Sequence, residues 1–344
     1  MFCCPNCFTH TYLKTFINNS CTEQGICSFC NYKKPSPLCK PSKLIDLFQP
    51  ILDLYAEDSV GNPLNKLLQS DWNIFSEFVD DKKQLSLISR ISDFKYLSRK
   101  RYLSRLALNN SFIDKWDAFA HELKHENRFF PKSAIDPSQL SELFNYLIIP
   151  KENNPRWIYR ARITRQSKVL TISELGKPPR EESQDGRANP KGISYFYGAS
   201  DYRTAIAETR PYKSENISVA KFRVNGEINL VDLRDPRSTI SPFGLDDDNL
   251  SLLYEEHMPF LGHLGAALSK PILPYKKELE YLPTQYLCEL IKNNKFDGIV
   301  FKSSLEKGDN YVFFDDSVLV GTKVETYFVS DTTINSIKMT KKKK

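Results

Sequence analysis

The stretch ISYFYGASDYRTAIAET, residues 193–209, decides the fold of the second half of the chain. Its first part, 193–199, combines aromatic and small apolar residues in the way typical of a β-strand. Ser200 and Asp201 follow, and both are residue types that cap the N-terminus of a helix. We therefore expect a helix over 202–209, directly after the strand. A strand that leads into a helix indicates a domain in which both kinds of element share one core.

Segments on either side of this stretch extend the strand-rich pattern. Asn225-Gly226 separates two of them and predicts a hairpin with a type I′ turn. A helix is expected over 283–293, and strands are expected over 157–163, 218–224, 227–233, 298–302, 311–314 and 323–329. This part of the chain is therefore expected to be an α+β domain. It has neither a Walker loop nor a G-x-G-x-x-G segment, which argues against P-loop and Rossmann nucleotide sites.

The segment before it has the periodicity of helices. Apolar residues recur every three or four positions between Leu44 and Tyr55, after Ser42 as a plausible N-cap. Asp136-Pro137 is typical of an N-cap followed by a proline in the first turn. Further helices are expected near 63–78, 83–105 and 113–124. Pro150 and Pro155 bracket a polar stretch that indicates the next domain boundary.

One motif in this helical part has the spacing of a zinc peptidase. His121-Glu122-Leu123-Lys124-His125 matches H-E-x-x-H on a predicted helix. The buried stripe of that helix is expected on Trp116, Phe119 and Leu123. We therefore interpret His121, Glu122, Lys124 and His125 as a solvated face rather than a metal site.

Cysteines are concentrated at the start of the chain, where all but Cys288 of the 8 cysteines lie within the first 39 residues. Two C-x-x-C pairs stand at a separation typical of a zinc ribbon, and each can offer two thiolates to a tetrahedral site. The expected ligands of a structural zinc ion are Cys4, Cys7, Cys27 and Cys30. Cys3 could replace Cys4. Four thiolates leave no open coordination position, so we expect no catalysis at this metal.

Composition limits the class of protein. The chain has 344 residues, 40% of them hydrophobic, and a formal net charge of +6, so it can bury a sizeable core and does not repel anionic ligands. No apolar run approaches the ~20 residues of a membrane span. The first residues lack the pattern of a secretory signal. These features, together with the clustered cysteines, lead us to expect a cytoplasmic protein with no membrane partner.

Several ordered motifs resemble the RES domain family, named for its Arg, Glu and Ser. The resemblance covers about 156–328, and the N-terminal ribbon with its helices also resembles an extension found on some RES proteins. It is carried by Tyr159-Arg160, the loop 186–193, Tyr197–Asp201, Thr204–Glu208, Tyr281–Gln285, Phe296–Ile299, Ser303-Ser304 and Asn310. The resemblance implies a mixed α/β domain with a fold like that of ADP-ribosyltransferases.

This resemblance also implies a division of the chain and a set of site residues. The expected domains are a zinc ribbon (1–42), a helical regulatory or assembly domain (43–152), a catalytic RES domain (153–330) and a basic tail (331–344). The family's functional positions fall on Arg160, Tyr197, Glu208 and a serine, for which we prefer Ser303 over Ser304. Expected substrate contacts are Arg187, Asn189, Gly192, Ser304 and Asn310.

The activity implied by the resemblance is the consumption of NAD as a substrate, by hydrolysis or phosphorolysis of its nicotinamide–ribose bond, in a toxin or an antiphage defence effector. The residue types fit this chemistry. The nicotinamide leaves as a neutral molecule, so no general acid is needed and one carboxylate, Glu208, can suffice. Arg160 could offer a fork to the pyrophosphate or a ribose.

Two other functions remain open from the sequence. The domain could transfer ADP-ribose to a protein or nucleic acid, or the zinc ribbon could make the chain a non-enzymatic module that binds nucleic acid or protein. An enzyme that depletes NAD harms its host, so restraint is expected. An antitoxin or immunity protein, a trigger, or assembly into a homo-oligomer could provide it.

Overall fold

The computed structural model describes residues 1–92, 97–105, 111–132, 135–164 and 168–333. The chain divides into two compact units, Met1–Ile148 with Asp235–Ala266 and Ile149–Arg234 with Ala267–Lys344. The α-helices are Thr11–Ser20 (α1), Ile45–Asp53 (α2), Leu64–Trp72 (α3), Asp81–Ser92 (α4), Ser111–His125 (α5), Pro137–Tyr146 (α6), Tyr202–Glu208 (α7), Pro236–Thr239 (α8), Asp247–Leu252 (α9), Met258–Ser269 (α10), Lys277–Glu280 (α11) and Leu282–Asn293 (α12). The strands are Glu23–Gly25 (β1), Ser36–Leu38 (β2), Tyr55–Asn62 (β3), Tyr102–Ser104 (β4), Trp157–Thr164 (β5), Phe196–Ala199 (β6), Asn216–Val224 (β7), Leu230–Asp232 (β8), Gly298–Lys302 (β9), Asp309–Phe313 (β10) and Leu319–Phe328 (β11).

Helices dominate the first unit, as the sequence predicts. Its strands form the small antiparallel pairs β1–β2 and β3–β4. A hydrogen-bonded hub ties its two chain segments together, because the Asp71 carboxylate accepts 2.9 Å hydrogen bonds from the hydroxyls of Tyr55 and Tyr254. The indole of Trp72 donates to the Tyr55 oxygen at 3.1 Å. The hub is one of several contacts that join 235–266 to this unit, although the sequence predicted a continuous second domain from residue 153. The four-part division remains a prediction.

Two local expectations for the first unit are wrong. The helix expected over 83–105 ends at Ser92, and Tyr102–Ser104 is a strand because it pairs with β3. The solvated position expected for Glu122 is also wrong, because this side chain is 6% exposed and its carboxylate accepts a hydrogen bond from the Lys132 amide. His121 and His125 are exposed, as expected.

A mixed sheet forms the second unit and confirms the expected α+β class. In the described part of the chain, seven strands follow the order β11-β7-β5-β6-β10-β9-β8. Only β8 with β9 is parallel among the pairs of this sheet. One face buries a core whose largest side chains include Phe196, Phe222 and Phe313. Side chains alternate between faces along a strand, so the intervening residues face the other side, where the cavity described below lies.

The hairpin predicted at Asn225-Gly226 is wrong. β7 pairs with β5 and β11, whereas β8 lies at the far edge of the sheet beside β9. Gly226 does adopt the left-handed conformation that the turn signal requires, with φ of +82°. A type I′ turn also requires a positive φ at the preceding residue, and Asn225 is not among the described residues that have one. The turn therefore does not form, and the chain continues to a distant strand because long-range pairing outweighs the local signal.

Helix α7 confirms the strand-to-helix passage predicted from 193–209. Asp201 caps it by accepting a hydrogen bond from the Thr204 amide at 3.0 Å. The Ser200 hydroxyl accepts a bond from the Asp309 amide at 3.0 Å, which attaches the start of the helix to β10. Gly308 packs so closely here that a Cβ would lie 2.2 Å from the Thr204 Oγ1. These contacts fix α7 against the sheet and thereby fix the position of Glu208 at its last turn.

The described residues contain no helix that has both the length and the apolar character needed to cross a bilayer. The predicted basic tail, 331–344, lies outside the described residues from 334 onward.

Substituting Gly298 should destabilise the sheet. A Cβ at this position in β9 would lie 2.1 Å from the Val312 carbonyl oxygen, which is part of the backbone and cannot turn away. We expect Gly298→Ala to lower the free energy of unfolding by about 1–3 kcal/mol, measured by chemical denaturation.

Gly262→Ala is the matched control. Gly262 is exposed in α10, and an added Cβ would meet no described atom within 4 Å apart from the adjoining residues and backbone of its own helix. Alanine there should be neutral or stabilising by up to about 1 kcal/mol. Equal midpoints for the two variants would show that the close approach at Gly298 is not a constraint.

Candidate active site and metal centre

A cavity of about 310 Å³ opens where β5 and β6 part. Among the described residues, the register of these strands pairs only Tyr159 with Ala199. Three residues of each strand line the cavity, and helix α7, the loop 186–187 and strands β9 and β10 complete it. The lining residues are Tyr159, Arg160, Ala161, Gly186, Arg187, Tyr197, Gly198, Ala199, Ala205, Glu208, Thr209, Tyr281, Phe301 and Asn310.

Arg160 bridges the gap between the two strands. Its Nη1 donates a 2.8 Å hydrogen bond to the Tyr197 carbonyl, and its guanidinium lies 4.9 Å from the centre of the Phe196 ring. Burial, with repulsion from Arg162, lowers the pKa of Arg160 to about 9. The group is therefore a cation at neutral pH. The sequence led us to expect that the whole Arg160 guanidinium would be free to bind a substrate. One of its nitrogen atoms, Nη1, is instead hydrogen-bonded to the backbone of β6.

Tyr197 holds the loop 186–192 rather than standing free. Its hydroxyl donates to the Asn189 Oδ1 at 2.6 Å and accepts from the Ala188 amide at 3.1 Å. Burial raises the pKa of this phenol, so it stays protonated and can donate. Asn189 is 1% exposed, and its amide donates to the carbonyls of Gln184 and Ile193. Asn189 therefore organises the loop from inside.

Side chains at the start of α12 donate hydrogen bonds to the loop 186–192 from its other side. Gln285 donates from its amide to the carbonyls of Gly186 and Asn189 at 2.9 and 3.0 Å, and Thr284 donates to the Arg187 carbonyl at 2.7 Å. The Arg187 guanidinium donates to the carbonyls of Leu268 and Lys270. The part of the loop that lines the cavity is therefore fixed before any ligand binds.

Glu208 receives two hydrogen bonds on one oxygen. Ser303 donates from its hydroxyl and Asn310 from its amide, both to Oε1 at 2.7 Å. The Ser303 oxygen in turn accepts bonds from the amides of Leu305 and Glu306, which fixes its orientation. The described residues leave Oε2 of Glu208 without a hydrogen-bond donor, so this oxygen is available to a ligand in the cavity.

The remaining expected substrate contacts lie elsewhere. Gly192 lines a separate cleft with Lys177 and Arg180, and Ser304 is exposed. Tyr159 and Tyr281 line the cavity although no role was assigned to them from the sequence. Both stand in the motifs quoted above, but an isolated tyrosine gives no sign of which face of the sheet carries a site.

The metal centre lies in the first unit. The Sγ atoms of Cys4, Cys7, Cys27 and Cys30 lie within 4.8 Å of one another, and all four residues are buried. Tetrahedral zinc with thiolates places its sulfur atoms roughly 3.8 Å apart, so this group fits. The Cys27 Sγ also accepts from the amides of Phe29 and Cys30, as thiolates of a zinc knuckle do.

Cys3 has different partners. Its Sγ donates to the Cys39 carbonyl at 3.4 Å, and its backbone pairs with that of Cys39 in a β-bridge. The geometry therefore favours Cys4 over Cys3 as the fourth ligand. In this position Cys3 joins the start of the ribbon to its end.

Comparison with known proteins gives a match to a family model and distant matches to solved structures. The family model for the RES domain matches residues 158–331, half of the chain. No curated protein matches the chain. A chain in the crystal structure of the M. tuberculosis MbcT–MbcA toxin–antitoxin complex has 11% sequence identity and a TM-score of 0.33, over 56% of this chain and 94% of that one.

The purified chain should contain one zinc ion held by the four thiolates. Cys27→Ser replaces a thiolate with a hydroxyl that is a poor zinc ligand, so we expect the zinc content to fall well below one ion per chain. Elemental analysis after dialysis measures it.

Cys21→Ser is the control, because Cys21 is a buried cysteine of the same ribbon outside the group of four. It should keep its zinc. Equal zinc loss in both variants, or full zinc content in Cys27→Ser, would contradict the assigned ligand set.

Proposed function

The chain belongs to the RES domain family, whose members are generally enzymes that consume NAD, and we propose that it cleaves the bond between nicotinamide and ribose in NAD. The observation that carries this proposal is the Glu208 carboxylate at the cavity, held on one oxygen by Ser303 and Asn310. NAD is the substrate, and no hydride is transferred.

One carboxylate is enough for this reaction. An ordinary glycosidase needs a second carboxylate to protonate its leaving oxygen. Nicotinamide is already cationic in NAD and departs neutral, so only the positive charge that develops on the ribose needs stabilisation. Oε2 of Glu208 can accept a hydrogen bond from a ribose hydroxyl and place a negative charge beside that ribose.

The other expected site residues take supporting roles in this proposal. Arg160 keeps β6 in place through the Tyr197 carbonyl and adds a positive charge to the wall of the cavity. Tyr197 and Asn189 hold the loop that closes one side. Because these groups are tied to one another before substrate binds, they need little reorganisation during the reaction.

We also propose that the activity is restrained in the cell. An enzyme that removes NAD without restraint would kill its own host, and a protein antitoxin, an infection trigger or assembly would each prevent this. Expression of the wild-type chain alone should therefore arrest growth, and expression of Glu208→Gln should not. The described residues of the helical region 43–152 offer no comparable catalytic set, and this region is our candidate for the regulatory part.

Glu208→Gln should abolish the reaction. The amide keeps the size of the side chain but loses the negative charge that stabilises the ribose, so we expect nicotinamide release to fall by more than about a hundredfold. Release from NAD is followed by chromatography, with and without inorganic phosphate, so that ribose 1-phosphate derivatives distinguish phosphorolysis from hydrolysis. Label transferred to a macromolecule would instead indicate ADP-ribosyl transfer.

The stability of the variant provides the control for this experiment. Glu208 is partly exposed in the last turn of α7, so the melting temperature should change little. Full activity in Glu208→Gln, or an inert wild-type protein under every condition of the assay, would rule out the proposed reaction.

The adjacent serines provide a matched pair of variants. Ser303→Ala removes one of the two donors to Glu208 and should lower kcat by about tenfold, since a hydrogen bond to a charged group contributes about 1.5–3 kcal/mol. Ser304→Ala removes an exposed hydroxyl and should leave kcat unchanged. The reverse order of effects would assign the family's serine to Ser304.

A further inference from the structure

The sheet face that carries the cavity continues past it onto a row of cations. Tyr159 of β5 lines the cavity, and its cross-strand partner on β7 is Lys221. Lys221 in turn pairs with Lys323 on the edge strand β11. Cross-strand partners project from the same face of a sheet, so these three side chains form one row that begins at the cavity wall.

Lys221 lies among aromatic rings and, within the described residues, forms no direct ion pair. Its Nζ is 4.0 Å from the centre of the Trp157 ring and 5.6 Å from that of Tyr159. Within the described ranges, no carboxylate oxygen lies within 4.0 Å of it. Lys323 differs, because its Nζ forms an ion pair with Glu325 at 2.8 Å. The row therefore presents one cation without a direct ion pair, and it is the one beside the cavity.

The cavity itself is too small to enclose a whole dinucleotide. Its volume of about 310 Å³ is near the lower limit of small-molecule sites, which run from about 300 to 1,000 Å³. Both arginines in its wall already donate to backbone carbonyls, Arg160 to Tyr197 and Arg187 to Leu268 and Lys270. The nicotinamide ribose can occupy the cavity, and the rest of the dinucleotide, including its pyrophosphate, then extends beyond it.

We propose that Lys221, framed by Trp157 and Tyr159, forms an anion subsite that receives the pyrophosphate of the dinucleotide. This inference rests on the proposed function for its substrate. The rings fix the ammonium group through cation–π contacts and lower its competing hydration. The subsite gives the enzyme a preference for dinucleotides over nicotinamide ribosides, which have the same scissile bond but no phosphate.

Three variants test the subsite. Lys221→Gln removes the charge and keeps most of the length, Lys221→Arg restores the charge, and Lys323→Gln is the matched control because its charge is already paired. For each, KM and kcat are measured with NAD and with nicotinamide riboside. Binding of ADP-ribose, which keeps the pyrophosphate and has no nicotinamide to lose, is measured by calorimetry.

We expect Lys221→Gln to raise KM for NAD and Kd for ADP-ribose by about tenfold, as for the loss of a bond to a charged group. Its kcat, and its kcat/KM for the riboside, should stay within about twofold. Lys221→Arg should restore most of the affinity, and Lys323→Gln should resemble wild type. Equal losses on NAD and riboside, no loss at all, or no binding of ADP-ribose to wild type would overturn the subsite.

The binding measurement separates the two proposals. If wild type does not cleave NAD but binds ADP-ribose in a Lys221-dependent way, the proposed reaction fails and the subsite stands. If NAD is cleaved and Lys221→Gln binds ADP-ribose like wild type, the subsite fails and the reaction stands.

Discussion

The site depends on the parting of β5 and β6. Strands that part leave backbone carbonyls without a ladder partner, and a buried carbonyl without a hydrogen bond is costly. The Arg160 side chain supplies the missing donor for Tyr197, so the sheet can open without leaving that group unpaired. The opening is lined by three residues of each strand. Arg160 therefore stabilises the sheet in addition to the role proposed for it in the cavity.

Around this opening, side chains far apart in the sequence hold one another in place. The loop 186–192 is fixed by Tyr197 and Asn189 on one side and by Thr284 and Gln285 on the other. Asn189, Thr284 and Gln285 are all buried. Buried polar groups require such partners, and satisfied networks of this kind specify one conformation. The cavity is thus built with its final shape in the free protein, which suits a reaction stabilised by fixed charges.

Local patterns in the sequence were enough to predict several features. The spacing of the two C-x-x-C pairs predicts which four sulfur atoms come together, and Ser200-Asp201 predicts the start of α7. The predicted hairpin at Asn225-Gly226 was wrong because β8 pairs with β9, which is distant in the sequence. The predicted helix over 83–105 was wrong because its last part forms β4 and pairs with β3, a strand that the sequence did not predict. The grouping of 235–266 with the first unit rests on long-range contacts such as the Asp71 hub, which the periodicity of the sequence does not reveal. Lys221 was also missed, because the pairing register of β5 and β7, which places it beside Tyr159, cannot be read from the sequence.

The two donors to Glu208 have a consequence for how the protein is made. Ser303 and Asn310 lie 95 and 102 residues after the carboxylate that they orient. Strand β10, which pairs with β6, also belongs to this late part of the chain. During synthesis on the ribosome, the Glu208 carboxylate is therefore present before the two side chains that orient it. The centre can assemble only after Asn310 has emerged, so nascent chains and products terminated before that residue lack a complete centre.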